Sequence, residues 1–221
     1  RRSPSWRAHA AAGARHEGKL RAAIERFTRI PALGAIGEEP RLGVVERHLG
    51  RVPALEGQAV SALIWTTTPW TIPSNLALAF HPDALYGAYL VDGRAVIVAE
   101  SLADQLSQDL GRPFQHPVAT AKGSAFEHLR FLHPLYGRDS VGVLADYVTL
   151  DTGTGVVHTA PGHGADDFRT GVRYGLEIYA PVAGDGRFTD DVERFAGLTV
   201  FEANPKVEDA LAGVGRLWKR E

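Results

Sequence analysis

Ala59-Val60-Ser61-Ala62-Leu63-Ile64-Trp65-Thr66-Thr67 is an apolar, β-branched run that leads directly into Thr68-Pro69-Trp70-Thr71-Ile72-Pro73-Ser74-Asn75. Its composition predicts a buried strand, and Pro69 and Pro73 forbid a helix immediately after it. Thr66, Thr67 and Thr68 therefore stand at the end of a strand whose exit is stiffened. Three successive hydroxyls held in this way present donors and acceptors in a fixed array. The same residues also fit a plain threonine-rich strand ending in a proline turn.

Downstream, Leu76–Phe80 reads as another strand. Gly87–Glu100 reads as a hairpin with Asp92-Gly93 at its turn. Ser101–Leu110 has the spacing of an amphipathic helix, with Ser101 as N-cap and Gly111 at its end. Val141–Leu150 and Gly155–Thr159 read as two strands joined by Asp151-Thr152-Gly153. A helix from Ala165 or Asp166 to Tyr174 is expected to turn Phe168, Val172 and Tyr174 inward and to stop at Gly175. Ile178–Val182 and Arg187–Thr189 suggest a hairpin over Gly184-Asp185-Gly186, and Pro205–Leu211 a last helix. Strands and helices mix without regular βαβ alternation, so the predicted class is α+β, a mixed, barrel-like β domain with peripheral helices.

A second polar concentration is Gly153-Thr-Gly-Val-Val-His158-Thr-Ala-Pro-Gly-His163-Gly-Ala-Asp166-Asp167. Here a strand delivers His158, a Gly/Pro loop permits close backbone approach, and a helix opens on two acids. The helix dipole favours a carboxylate in the first turn as the anion, a suitable partner for a ligand ammonium group. A plain helix start and a satisfied core histidine fit the same letters. His158, His163, Asp166 and Asp167 lack the spacing of a metal site, so no metal is expected. No nucleophile elbow, P-loop or dinucleotide fingerprint occurs. His116, His128 and His133 read as surface groups.

Residues 1–57 read as a basic leader in which no period persists, although Arg15–Ile30 has helical spacing of Leu20, Ile24 and Phe27. A solvated leader, a tRNA-contacting segment and the product of a misread frame all fit it. Residues 58–221 form the domain. Residues 1–50 carry ten basic and five acidic side chains (+5), and the remainder fourteen and twenty-one (−7), which sum to the overall −2. That balance argues against a large nucleic-acid-coating surface. Zero cysteines exclude disulfides, thiol catalysis and Cys-bound zinc. No apolar run has the length to cross a bilayer, so a cytoplasmic protein is expected and no membrane partner. Zero methionines suggest a piece of a longer protein.

The two motifs, with Leu76-Ala-Leu-Ala-Phe-His-Pro82, Ala145-Asp-Tyr-Val148 and Gly197-Leu-Thr-Val-Phe-Glu-Ala-Asn204, resemble the editing domain of isoleucyl-tRNA synthetase from about Ala59 to Asn204. The related valyl and leucyl enzymes typically carry Thr-Thr-Arg-Pro-Glu/Asp-Thr, whereas here Thr68 precedes Pro69 and Trp70 follows it. The resemblance implies hydrolysis of valine mistakenly esterified to the isoleucine tRNA. A synthetic pocket separates side chains one methylene apart by only about 1–3 kcal/mol, a magnitude whose standard example is this same family. It also implies roles for particular residues. Asp167 would hold the α-ammonium group, and Thr66, Thr67 and Thr68 would position ester and water. His158 would shape the pocket that excludes isoleucine. Asn75 would support the terminal adenosine or the pocket wall, and Trp65 and Trp70 would pack or touch a base.

No general base stands out, so hydrolysis assisted by the terminal ribose hydroxyl is expected. The domain itself would need no cofactor. ATP and Mg belong to the full-length synthetase, whose His-Ile-Gly-His and Lys-Met-Ser-Lys-Ser signatures are missing here. Expected partners are the valine-charged acceptor end of the isoleucine tRNA and the catalytic core of the parent synthetase. The competing functions are a free-standing trans-editing deacylase and an inactive module that only binds the tRNA end.

Overall fold

The computed structural model describes the backbone of residues 22–28 and all of residues 60–220. The leader interpretations of 1–57 otherwise lie outside these residues. Within the leader the structure has a strand, β1 (Ala22–Thr28), where helical spacing suggested a basic helix. It pairs antiparallel with β2 (Val60–Thr66) over seven consecutive positions, from Ala22↔Thr66 to Thr28↔Val60. An otherwise bare edge of β2 supplies the backbone partners that decide the conformation.

The other edge of β2 pairs in parallel with β5 (Arg94–Ala99), which forms a hairpin with β4 (Leu85–Val91). A strand covered on both faces tolerates a continuous apolar run, which explains why Ala62, Leu63 and Ile64 are all completely buried. Asp92 (φ 51°) and Gly93 (φ 75°) make the two-residue loop of the hairpin, and both sit in the left-handed region that Asp-Gly favours. The remaining strands are β3 (Ala77–Phe80), β6 (Ala119–Lys122), β7 (Arg130–Leu132), β8 (Asp139–Leu144), β9 (Val156–Thr159) and β10 (Leu217–Arg220). The ten-stranded mixed sheet runs β6-β4-β5-β2-β1-β7-β8-β3-β9, with β10 also on β1. It is an open path rather than a closed barrel. The expected strand Val141–Leu150 stops at Leu144, beyond which the chain turns (Val148 N–H to Ala145 O, 3.3 Å). β8 and β9 do not pair with each other, because β3 lies between them.

Stacked rings fill the core: Phe80 lies 4.7 Å from Phe126 and 5.9 Å from Phe131. Tyr86 joins them and donates to the Gly155 carbonyl at 2.6 Å, and its burial pushes the phenol up to about 12. His133, expected at the surface, is 2% exposed. Its Nδ1 accepts the Leu135 N–H at 3.0 Å, so Nε2 donates to the Ile72 carbonyl at 2.9 Å. Both ring nitrogens are satisfied, which lets the ring be buried.

Among the described residues, three helices flank the sheet. α1 (Ala103–Leu110) ends on Gly111 at φ 61°, as expected, but Leu102 rather than Ser101 stands at its N-cap position, without a side-chain cap bond, because a 3-10 turn precedes it. α2 (Ala165–Arg173) docks by its small residues, with Thr170 and Gly171 buried, while Phe168 and Val172 are 48% and 61% exposed and not inward. A Cβ on Gly171 would sit 2.7 Å from Pro161 Cβ, so close approach to the Pro161 loop selects that face. The expected hairpin around Gly184–Gly186 reduces to one bridge, Val182↔Phe188. α3 (Val200–Gly213) begins five residues before Pro205, at a capping box in which Thr199 and Glu202 exchange hydrogen bonds.

Glu208 on α3 is completely buried, and Arg220 Nε on β10 lies 2.7 Å from its Oε2. Burial raises its carboxyl above the ordinary range, opposed by Arg220. Arg220→Met leaves that charge unmatched. Because the Arg220 side chain is 41% exposed, the expected cost is about 2 kcal/mol at neutral pH, below that of a fully buried pair. The loss should shrink on acidification, since protonating Glu208 removes the buried charge. A urea midpoint that is lowered equally at pH 7 and pH 4.5 would contradict this origin.

Candidate functional site

The 3-10 turn Pro69–Ser74 and the loop between β9 and α2 carry the two motifs, and side-chain contacts bring them together. Thr71 Oγ1 lies 2.9 Å from His158 Nε2, and Ser74 Oγ lies 2.9 Å from His163 Nε2. The Trp70 and His163 rings meet edge to face at 5.0 Å. Asn75 Nδ2 reaches the Thr159 carbonyl at 3.2 Å and His158 Nδ1 at 3.4 Å. Residues far apart in sequence thus line one locus at the ends of β2 and β9.

The hydrogens on His158 follow from its partners. Thr71 Oγ1 donates to the Thr68 carbonyl at 2.8 Å, which uses its one hydrogen. It therefore accepts from His158, whose Nε2 carries the proton, while the unprotonated Nδ1 faces Asn75 Nδ2 at 3.4 Å, the longest of that amide's three contacts. Asn75 is completely buried; Nδ2 also donates to Ala77 O at 2.7 Å, and Oδ1 accepts from Ser140 Oγ. Arg138 adds bonds to the carbonyls of Pro73 and Asn75. Asn75 is consequently part of the wall behind His158, and any ligand meets it through that ring.

The three threonines are not equivalent. Thr66 is 6% exposed, and its Oγ1 accepts the Thr68 N–H at 3.1 Å, a local turn motif. Thr67 and Thr68 are exposed, so theirs are the hydroxyls presented to solvent. Trp65 is half-buried against Gly153, where a Cβ would stand 3.4 Å from the indole.

Asp167 is half-buried in the first turn of α2, and its Oδ2 accepts the Ala160 N–H at 2.8 Å. Its Oδ1 has no hydrogen-bond partner among the described residues. Burial raises its carboxyl above the ordinary value, against the Ala160 N–H and with the help of the Asp166 charge. A partly desolvated carboxylate with one oxygen open is suited to a cation of fixed geometry. Burial lowers the His163 imidazole, which favours its neutral form.

Among the described residues no group of three His, Asp or Glu side chains could hold a metal ion. No helix there is long and apolar enough to cross a membrane. A cavity of about 210 Å³ lies along α2 between Asp146, Asp166, Arg169 and Arg173, and none of the expected site residues lines it. Sequence reasoning gave no role to Thr71, Ser74 or Ser140. Thr71 and Ser74 lie inside the quoted first motif, whereas Ser140 carries no local signal.

No protein-family profile matches the chain. It is 53% identical over 155 residues to isoleucine–tRNA ligase of Nitratidesulfovibrio vulgaris (strain Miyazaki F), covering 70% of this chain and 16% of that protein. The ligase of Geobacter sulfurreducens is 47% identical over 168 residues (76% and 18%), and that of Aeromonas hydrophila 44% over 193 residues (86% and 20%). The chain thus spans between about a sixth and a fifth of the length of these relatives. Among solved structures, the GlLeuRS-CP1 crystal structure superposes with a TM-score of 0.70 at 17% identity, over 91% of this chain and 99% of that one. The editing domain of P. knowlesi cytosolic leucyl-tRNA synthetase gives 0.66 at 12% identity, over 91% and 96%. At such identities the likeness is one of fold.

Proposed function

From this chain's homology to isoleucine–tRNA ligases over 70–86% of its length, and its synthetase editing-domain fold, we propose that it hydrolyses valine from mischarged isoleucine tRNA. The observation that supports the proposal is the junction of the two motifs through Thr71–His158 and Ser74–His163, with an Asp167 oxygen left open in the second motif and exposed threonines in the first.

In this reading Asp167 Oδ1 takes the α-ammonium group, and the His158 ring forms the pocket wall that admits valine and excludes isoleucine. Thr67 and Thr68 hold the ester and a water. Thr66 supports Thr68 by taking its N–H, and Trp65 and Trp70 pack beneath the site. The water oxygen bonds to the acyl carbon as the bond to the ribose oxygen breaks. The water proton passes through the neighbouring ribose hydroxyl to that leaving oxygen, giving free valine and free tRNA. Positioning supplies the rate, and the domain needs neither cofactor nor metal. ATP and Mg serve the synthetic half of the parent enzyme, the catalytic core that the domain accompanies in the cytoplasm.

Single-turnover deacylation by the 221-residue chain is the test. Val-tRNA carrying the isoleucine anticodon should lose its amino acid well above the buffer rate, and Ile-tRNA should not. Binding of the tRNA end without release of valine would instead make this an inactive binding module.

A further inference from the structure

The turn after the threonines has one donor to cap, and the cap comes from the far end of the chain. Pro69 has no N–H, and the Thr71 N–H donates to the Thr68 carbonyl at 3.0 Å. In the first turn of Pro69–Ser74 only the Trp70 N–H is left over. A threonine in the N-cap position, which Thr68 occupies, ordinarily turns its hydroxyl onto such a donor. Thr68 makes no side-chain cap bond. The Trp70 N–H instead donates to Asn204 Oδ1 on α3 at 3.0 Å, across 134 residues of sequence. Among the described residues the Thr68 hydroxyl keeps one long contact, 3.4 Å to Thr66 Oγ1. α3 is a firm support for Asn204, because the Thr199 capping box fixes its start and the Glu208–Arg220 pair ties it to β10.

We infer that Asn204 is a positioning residue for Thr68: by occupying the Trp70 N–H it releases the Thr68 hydroxyl from capping and leaves it turned to the substrate. This rests on the ester hydrolysis proposed above. Without Asn204, the N-cap hydroxyl of Thr68 is the acceptor that the turn itself offers to the Trp70 N–H.

The experiment pairs structure with kinetics in the 221-residue chain. In a crystal structure of Asn204→Ala, Thr68 Oγ1 is expected to have rotated to within hydrogen-bond distance of the Trp70 nitrogen. Single-turnover deacylation of Val-tRNA should slow by about tenfold, the worth of one hydrogen bond, with KM unchanged. Asn204→Asp retains the acceptor and should restore the parent rate. In a Thr68→Val background, Asn204→Ala should cost nothing further, since the hydroxyl it acts through is gone. Should the alanine variant not fold, Asn204→Leu, closer in volume, takes its place. An unrotated Thr68, or an equal slowing in both backgrounds, overturns the inference. If the parent chain does not deacylate Val-tRNA at all, it is the proposed function that fails, and the Thr68 rotamer alone then decides the role of Asn204.

Discussion

Asp167→Asn is expected to slow deacylation of Val-tRNA by about a hundredfold without weakening the fold at neutral pH. Truncating one side of a buried, hydrogen-bonded charge pair costs about 2–5 kcal/mol, and each 1.36 kcal/mol is tenfold in rate. The asparagine keeps an oxygen for the Ala160 N–H and loses only the charge that would meet the ammonium group. Stability moves the other way. Burial raises the Asp167 carboxyl above its ordinary 3.8, so the folded protein holds this proton more tightly than the unfolded chain does. The parent therefore loses stability as pH climbs from that ordinary value through the raised one. The asparagine variant lacks this slope. Thermal melts at pH 4 and pH 7 alongside single-turnover rates check both halves. A parent-like rate would remove Asp167 from the site, and a variant melting well below the parent at pH 7 would make its role structural.

His158→Ala is expected to let isoleucine in. The ring is fixed through Thr71 and Asn75 rather than merely packed, so it cannot swing aside for a larger side chain. Deleting it opens room for more than one methylene. Discrimination of one methylene by an apolar pocket amounts to about 10–200-fold, so hydrolysis of Ile-tRNA should rise by roughly that factor. Hydrolysis of Val-tRNA should change much less. An unchanged ratio of the two rates would assign the excluding wall to other residues. Asn75→Ala offers a milder comparison, because it frees one edge of the same ring.

Local chemistry made parts of the fold legible. The apolar, β-branched run matches a covered strand, Val60–Thr66, and Asp92-Gly93 suits the paired positive φ values of a two-residue hairpin loop. Misreadings arose where a distant partner outweighs local pattern. Phe168 and Val172 have inward-facing spacing, yet α2 sits on Pro161 through Gly171, and no helical period signals a preference for the smallest residue. Ile24 and Phe27 also fit helical spacing, but the edge of β2 draws their backbone into the sheet. α3 was expected too late because Pro205 looked like a start. The Thr199/Glu202 box carried the true signal, and a proline inside the helix is tolerated there.

The site divides in the same way. Asp167 and the threonines were legible as types, since a carboxylate at a helix start and hydroxyls at a strand end have intrinsic chemistry. The division of labour among the threonines was not, because it depends on which hydroxyl faces the Thr68 N–H. His133 was misplaced for a similar reason: its two bonds reach a carbonyl 61 residues away and a neighbouring amide.

The pairing of β1 with β10 bears on how the protein is made. Ala22 is opposite Arg220, so one ladder joins almost the whole described chain. Contacts of such sequence separation form slowly, because loop closure must come first. On the ribosome, β2 and its threonines emerge long before Leu217, and until the last strand arrives β1 offers an unprotected edge to any passing chain. Arrival of β10, rather than completion of the site, is therefore the step that covers this edge of the nascent sheet.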